Sequence, residues 1–248
     1  MRFPYLRKLN YGGRLTLIVS IHQPQFLPWL GYFDKIDRSD IFVILDNCQY
    51  KKQEYQNRNR IKTANGPTWL TVPVLIKGNS EKNINEIMID NSSNWRKRHL
   101  NLIAANYRKS PFFDHYYPSF ESFYMSKQWE FLSDINIGML YLLMKMLGMN
   151  TETKMAMDME IDGTKTIRNV NICKALGADT YLSGAGAHDY LEEEEFVKSG
   201  IKLEFQDFKH PVYNQQHGEF APYMCAADLI FNEGGKSLEI IRQERAAK

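Results

Sequence analysis

Two short apolar runs, Leu17–Ile21 and the "DIFVILD" stretch Asp40–Asp46, flank a segment with helical spacing. No other feature restricts the fold as much. Each run is too short for a buried helix and rich in branched residues, so each reads as a buried strand. Between them, Pro28–Ile36 reads as a helix, because proline suits a first helical turn. A strand, a crossover helix and a strand within about thirty residues form a βαβ unit, which requires a parallel sheet. The alternation returns later: "TKTIRNVNICKALGA" reads as a helix ending at Gly177, "DTYLSG" as a strand, "DYLEEEEFVKSG" as a helix and "IKLEFQDF" as a strand. The expected class is therefore α/β, with a Rossmann-like and largely parallel sheet.

"TWLTVPVLI" (Thr68–Ile76) and "INEIMID" (Ile84–Asp90) read as two further strands. From Trp95 to Leu147 the spacing turns helical and aromatic, with Gly148 placed to cap the last helix. This predicts a helical insertion or layer in the middle third, about residues 95–148. A closing helix is expected from "AADLIFNEGG" onwards. The run Glu192–Glu195 reads as a solvated helix face. A hydrophobic content of 44% over 248 residues supports one domain over residues 15–248, preceded by an N-terminal extension, residues 1–14.

Charge and cysteine usage exclude several functions. The net charge of +2 provides no field for binding nucleic acid or a membrane surface. The N-terminal arginines precede an apolar stretch too short for a signal peptide, and no run is long enough to span a membrane. The three cysteines, Cys48, Cys173 and Cys225, are scattered and form no CxxC pair, which suits a reducing cytoplasm. None of the six histidines has a partner at metal-ligand spacing, so no metal and no tightly bound cofactor is expected.

Candidate site residues cluster after predicted strands, where open α/β sheets bind ligands. His22 and Gln23 follow the first strand, and Trp29 and Gly31 open the helix behind two prolines. The same residues would serve equally to shape a strand-to-helix loop. Asp46 ends the second strand, and Gln49, Asn57, Arg58, Asn59 and Arg60 follow. Two arginines can clamp phosphate or carboxylate, and the amides can donate and accept. Ser183, Gly184 and Gly186 follow a third strand, where backbone N–H groups ahead of a helix could bind an anion. Asp189 and Tyr190 come next, with Asp189 also placed to cap that helix. His210 and Tyr213 follow the last strand. His99, four residues after Trp95 on one helix face, is either a base or a buried core histidine.

Taken together, "IHQPQFLPWLGYFDKI", "LDNCQYKKQEYQNRNRIK", "WLTVPV", "YLSGAGAHDYL" and "HPVYNQ" resemble the WbqC-like family, over nearly the whole chain from about residue 18. The resemblance implies a cytoplasmic role in bacterial surface-polysaccharide (O-antigen, lipopolysaccharide) biosynthesis. The reaction it implies is acyl or aminoacyl transfer to a nucleotide-linked amino sugar. The partners would be that sugar and an activated acyl donor, with nucleic acid entering only if the donor is an aminoacyl-tRNA. Such a transferase needs a base, for which His22, His210 and His99 are the candidates, and donors for the developing oxyanion. Two alternatives stay open: a non-catalytic module binding a nucleotide sugar or partner, and a metal-independent glycosyltransferase. The element around Trp29-Leu30-Gly31-Tyr32 also stands where nucleotidylyltransferases carry His-x-Gly-His, with Trp and Tyr in place of the histidines.

Overall fold

A computed structural model describes residues 8–9, 15–76, 81–243 and 245. The parallel sheet comprises β1 (Ile18–His22), β2 (Ile41–Ile44), β3 (Glu152–Met155), β4 (Thr180–Ser183) and β5 (Lys202–Phe205). In chain order the helices are α1 (Leu30–Arg38), α2 (Trp95–Tyr107), α3 (Phe113–Met125), α4 (Leu132–Leu147), α5 (Lys165–Leu176), α6 (Glu193–Lys198), α7 (Ala226–Glu233) and α8 (Ser237–Gln243). Two compact units account for these elements.

The first unit, Met1–His22, Lys35–Leu45 and Thr151–Asp207, holds the whole sheet. The strand order is β3-β2-β1-β4-β5 and every pair is parallel. This is the doubly wound order, one strand short of its six-stranded form. The fold is α/β and Rossmann-like. β2 is buried at every residue, as expected of an internal parallel strand covered on both faces. Leu17, Val19, Ile21, Ile41 and Val43 pack with Val170, Ile172 and Cys173 of α5 and Phe196 of α6. Gly177 closes α5 in the left-handed region. Two aspartates set the entry of β1: Asp40 Oδ2 accepts from the Ile18 amide and Asp179 Oδ2 from the Leu17 amide, both at 2.8 Å. Each aspartate stands just before a strand that pairs with β1.

The second unit, Gln23–Asp34, Asp46–Asn150 and Phe208–Lys248, contains α2, α3, α4, α7 and α8. The expected helical middle third is thus observed as three helices, the last of them, α4, capped by Gly148 in the left-handed region. Aromatic rings fill this core: Tyr107 and Phe120 lie 5.3 and 5.1 Å from the Phe231 ring. At its centre the buried Asp228 carboxylate accepts from Tyr107 Oη at 2.7 Å, Tyr213 Oη at 2.8 Å and Gln215 Nε2 at 2.7 Å.

Two expectations need correction, and one strand goes beyond them. Of Thr68–Ile76, only Thr68–Thr71 is strand; it belongs to Gly66–Thr71, which pairs antiparallel with Arg58–Thr63 in a hairpin separate from the main sheet. Its turn carries Asn65-Gly66, a hairpin signature that the apolar pattern obscured. Ile84–Asp90 is not a strand either: Ile84–Glu86 is a 3₁₀ turn, and Val74 and Ile89 form an isolated bridge. Conversely, β3 is a true strand with the polar sequence Glu-Thr-Lys-Met. It lies at the sheet edge, where polar residues are favoured and the apolar signal is lost. Of the expected extension, residues 1–7 and 10–14 lie outside the described residues, while Lys8–Leu9 pairs with Leu15–Thr16.

Candidate functional site

The doubly wound order has a switch point between β1 and β4, where the connection from β1 leads to one side of the sheet and that from β4 to the other. The ladder shows the opening directly. β1 pairs with β2 as far as His22↔Ile44, and β4 pairs with β5 as far as Ser183↔Phe205. Between β1 and β4, pairing ends earlier, at Val19↔Tyr181. The two strands therefore part over Ser20–His22 and Leu182–Ser183. His22, Ser183 and Gly184 stand at the C-terminal mouth of this gap.

One side chain reaches into it. Lys35, on α1, is 2% exposed, and its Nζ lies 3.5 Å from the Ile21 carbonyl oxygen. Among the described residues beyond its chain neighbours, a Cβ built on Gly184 would have one atom within 4 Å, Lys35 Nζ at 3.8 Å. Burial pushes the Lys35 amine down to about 7, and no charged neighbour contributes to the shift. A buried lysine with a lowered pKa at such a strand end is a recognised form of enzymatic base or nucleophile. Sequence reasoning missed it. In the sequence, Lys35 looks like a basic residue in a last helical turn, favourable to the helix dipole and usually solvated.

The glycine segment after β4 differs from expectation. Ser183 is buried, and its carbonyl accepts from the Gln206 amide at 2.8 Å. No helix follows the Gly-x-Gly; Ala185–Ala187 forms one 3₁₀ turn and α6 begins only at Glu193. A helix N-terminus for an anion is thus absent at Gly184 and Gly186, and the first turn of α6 is acidic. Asp189 caps no helix and is exposed, as is Tyr190. A Cβ placed on Gly186 would meet nothing within 4 Å, so this glycine borders open space.

In the second unit, Gln23 anchors an amide cluster. Its Oε1 accepts from Gln56 Nε2 at 2.9 Å and from Cys48 Sγ at 3.6 Å. Gln56, fully buried, also accepts from the Lys51 amide at 2.7 Å and donates to the Gln49 carbonyl at 3.4 Å. Gln49 itself is exposed and Asp46 is buried. Asn57 Nδ2 donates to the Val72 carbonyl at 3.0 Å, and Asn59 Nδ2 to the Leu27 carbonyl at 2.6 Å. Both asparagines are therefore buried struts for neighbouring loops. Arg58 and Arg60 alternate along one face of the hairpin and stack on Trp69, with guanidinium carbons 4.4 and 5.5 Å from the ring. Trp69 is 41% exposed, so this stack remains open to solvent.

Trp29 and Gly31 form one packing unit. A Cβ on Gly31 would lie 2.3 Å from Trp29 Cη2, so the glycine makes room for the indole and not for a nucleotide. The outer side of the indole meets Phe208 at 5.6 Å and Tyr223 at 5.8 Å. His210 belongs to the same aromatic group, 5.2 Å from Tyr223. Its Nε2 accepts from the Tyr223 amide at 3.1 Å, which fixes the proton on Nδ1, 2.9 Å from the Pro211 carbonyl. Both nitrogens are thus occupied, and burial lowers the tendency of the ring to charge. Tyr213 is tied to Asp228. His99 sits between Trp95 and Tyr124, with Nε2 3.1 Å from the Thr71 carbonyl and Nδ1 3.4 Å from Tyr124 Oη. Burial pushes it down to about 4. That is the environment of a packing histidine.

A profile of the WbqC-like protein family matches residues 23–240. The chain belongs to the WbqC-like family. It is 35% identical over 225 residues to the uncharacterized protein Rv1507c of Mycobacterium tuberculosis, a match covering 90% of this chain and 97% of that protein. No solved structure matches it. In this WbqC-like chain no helix among the described residues is long and apolar enough to cross a membrane. Nor does any group of three or more His, Cys, Asp or Glu among them form a metal-holding cluster.

Proposed function

We propose that this WbqC-like protein is a cytoplasmic transferase of bacterial surface-polysaccharide assembly. In this reading it moves an acyl or aminoacyl group from an activated donor to a nucleotide-linked amino sugar. Membership of the family supports the pathway, and the crevice at the strand ends of the parallel sheet supports a nucleotide site. The observation that carries the reading is the gap between β1 and β4, where the ladder stops at Val19↔Tyr181. In sheets of this order the crevice outside such strand ends receives nucleotides. The nucleotide would lie beyond His22 and Ser183–Gly184, and the amino sugar would extend toward the gap. Acyl transfer to an amine needs no metal and no redox cofactor; it needs a base, a bound donor and exclusion of water.

The test is mass analysis of the surface polysaccharide from strains with and without the gene. Loss of one acyl or aminoacyl substituent, with the sugar backbone intact, is the expected result. An unchanged polysaccharide would remove the reading. Calorimetry with a uridine diphosphate sugar examines the nucleotide part separately, with Gly184→Val expected to weaken binding by crowding the mouth of the gap.

A further inference from the structure

Lys35 is a buried amine at the switch point, and nothing in the packing requires an amine there. Its Nζ makes a single long contact to a main-chain oxygen, at 3.5 Å. A methionine of similar length would fill the same volume without desolvating a charge. The amine also lies beside Gly184, at the mouth of the gap. Gly184 provides no side chain, and among the described residues beyond its chain neighbours Lys35 Nζ is the only atom within 4 Å of the place where a Cβ would stand.

We propose that Lys35 is the general base of the reaction, taking the proton of the substrate amino group as that nitrogen bonds to the acyl carbon. This rests on the function proposed above. The lone pair of the sugar nitrogen forms the new C–N bond, and its proton passes to the neutral Lys35 amine. As the bond from the acyl carbon to the donor's leaving group breaks, Lys35 returns the proton to that group. No oxidant or other co-reactant is consumed.

The surroundings favour the neutral amine. β1 presents the Ile21 carbonyl, with His22 as the nearest titratable group along that strand. α1 carries Asp34, Asp37 and Arg38 beside Lys35 in sequence, and Asp34 is held by Arg245 at 2.7 Å. The segment from Thr180 to Ala187 carries no charged residue, and burial raises its Tyr181 hydroxyl further from ionisation. None of these groups contributes to the Lys35 shift, which comes from desolvation alone.

Two measurements test the assignment. In the first, the full chain is pulse-labelled with acetic anhydride between about pH 6 and about pH 10, and labelled lysines are read by peptide mass spectrometry. Lys198, exposed and paired with Glu194 and Glu195, is the comparator. Lys35 should reach half-maximal labelling at least about two pH units below Lys198. Coincident profiles, or no labelling of Lys35 at any pH, would overturn the proposal. In the second, strains carrying Lys35→Met or Lys35→Arg are compared with wild type for polysaccharide substitution, after thermal melting confirms that each variant is folded. Both should lose the substituent by about a hundredfold or more. Full substitution with Lys35→Met would overturn the base and leave the transferase reading intact. An unchanged polysaccharide on deletion of the whole gene would instead remove the transferase reading, and the base with it.

Discussion

The indole of Trp29 packs against Gly31, so closely that a methyl group on Gly31 would come within 2.3 Å of Trp29 Cη2. Gly31→Ala must therefore push the ring away from α1 and loosen its contacts with Phe208 and Tyr223. The expected cost is about 1–3 kcal/mol, the range for overpacking a filled site. Urea denaturation followed by tryptophan fluorescence would measure it, and a variant as stable as wild type would show that the indole moves freely.

Lys35 makes stability depend on pH in the alkaline range. Its folded value of about 7 lies below the 10.5 of a solvated lysine, so the unfolded chain binds more protons between those limits. Stability should be greatest above pH 10.5, fall as the pH drops through that window, and level off below about 7. The full penalty is at most roughly 5 kcal/mol. Lys35→Met should be more stable than wild type at neutral pH, and the difference should shrink toward alkaline pH. Melting curves of both proteins across that window would reveal it; parallel curves would mean that Lys35 is charged in the fold.

His99 acts in a separate acidic window. It is held neutral to about pH 4, whereas the unfolded chain takes the proton near 6.5. Its contribution is complete above pH 6.5 and is lost as the pH falls toward 4, by roughly 3 kcal/mol. His99→Phe should flatten the stability profile in this range while losing the bonds to Thr71 and Tyr124. Chemical denaturation between those limits would check the slope, and an unaltered slope would assign the acid sensitivity elsewhere.

Asp228 holds three donors in a buried site, and Asn at this position replaces an acceptor with a second donor. Asp228→Asn should destabilise the second unit by roughly 1.5–3 kcal/mol. Near-ultraviolet dichroism would follow the aromatic core around Tyr107 and Tyr213 as it loosens. A change below about 0.5 kcal/mol would show that the carboxylate is protonated in the fold.

The parallel sheet was legible because buried parallel strands announce themselves as apolar runs, as Leu17–Ile21 and Asp40–Asp46 do. β3 was not, since an edge strand may be polar and still pair. The hairpin was hidden for a related reason: its Arg58, Arg60 and Trp69 alternate in a pattern that resembles a ligand-binding loop. For the candidate site, sequence position pointed to the strand ends after β1 and β4 and to the histidines, and it passed over Lys35. His99 and His210 are polar residues whose partners come from distant segments, Thr71 and Tyr223. Lys35 owes its altered chemistry to desolvation, a property of three-dimensional enclosure that no local residue pattern records.

The chain visits each compact unit in three separate stretches. Neither unit is a contiguous segment, so neither can be completed early in synthesis or cut out as a fragment. β1 receives its partner β4 only after some 160 further residues have emerged, as in the pairing of Ile18 with Thr180. Closing so long a loop is entropically slow compared with local pairing. Until then one edge of β1 stays open on the ribosome, while β2, just behind it in the chain, can cover the other.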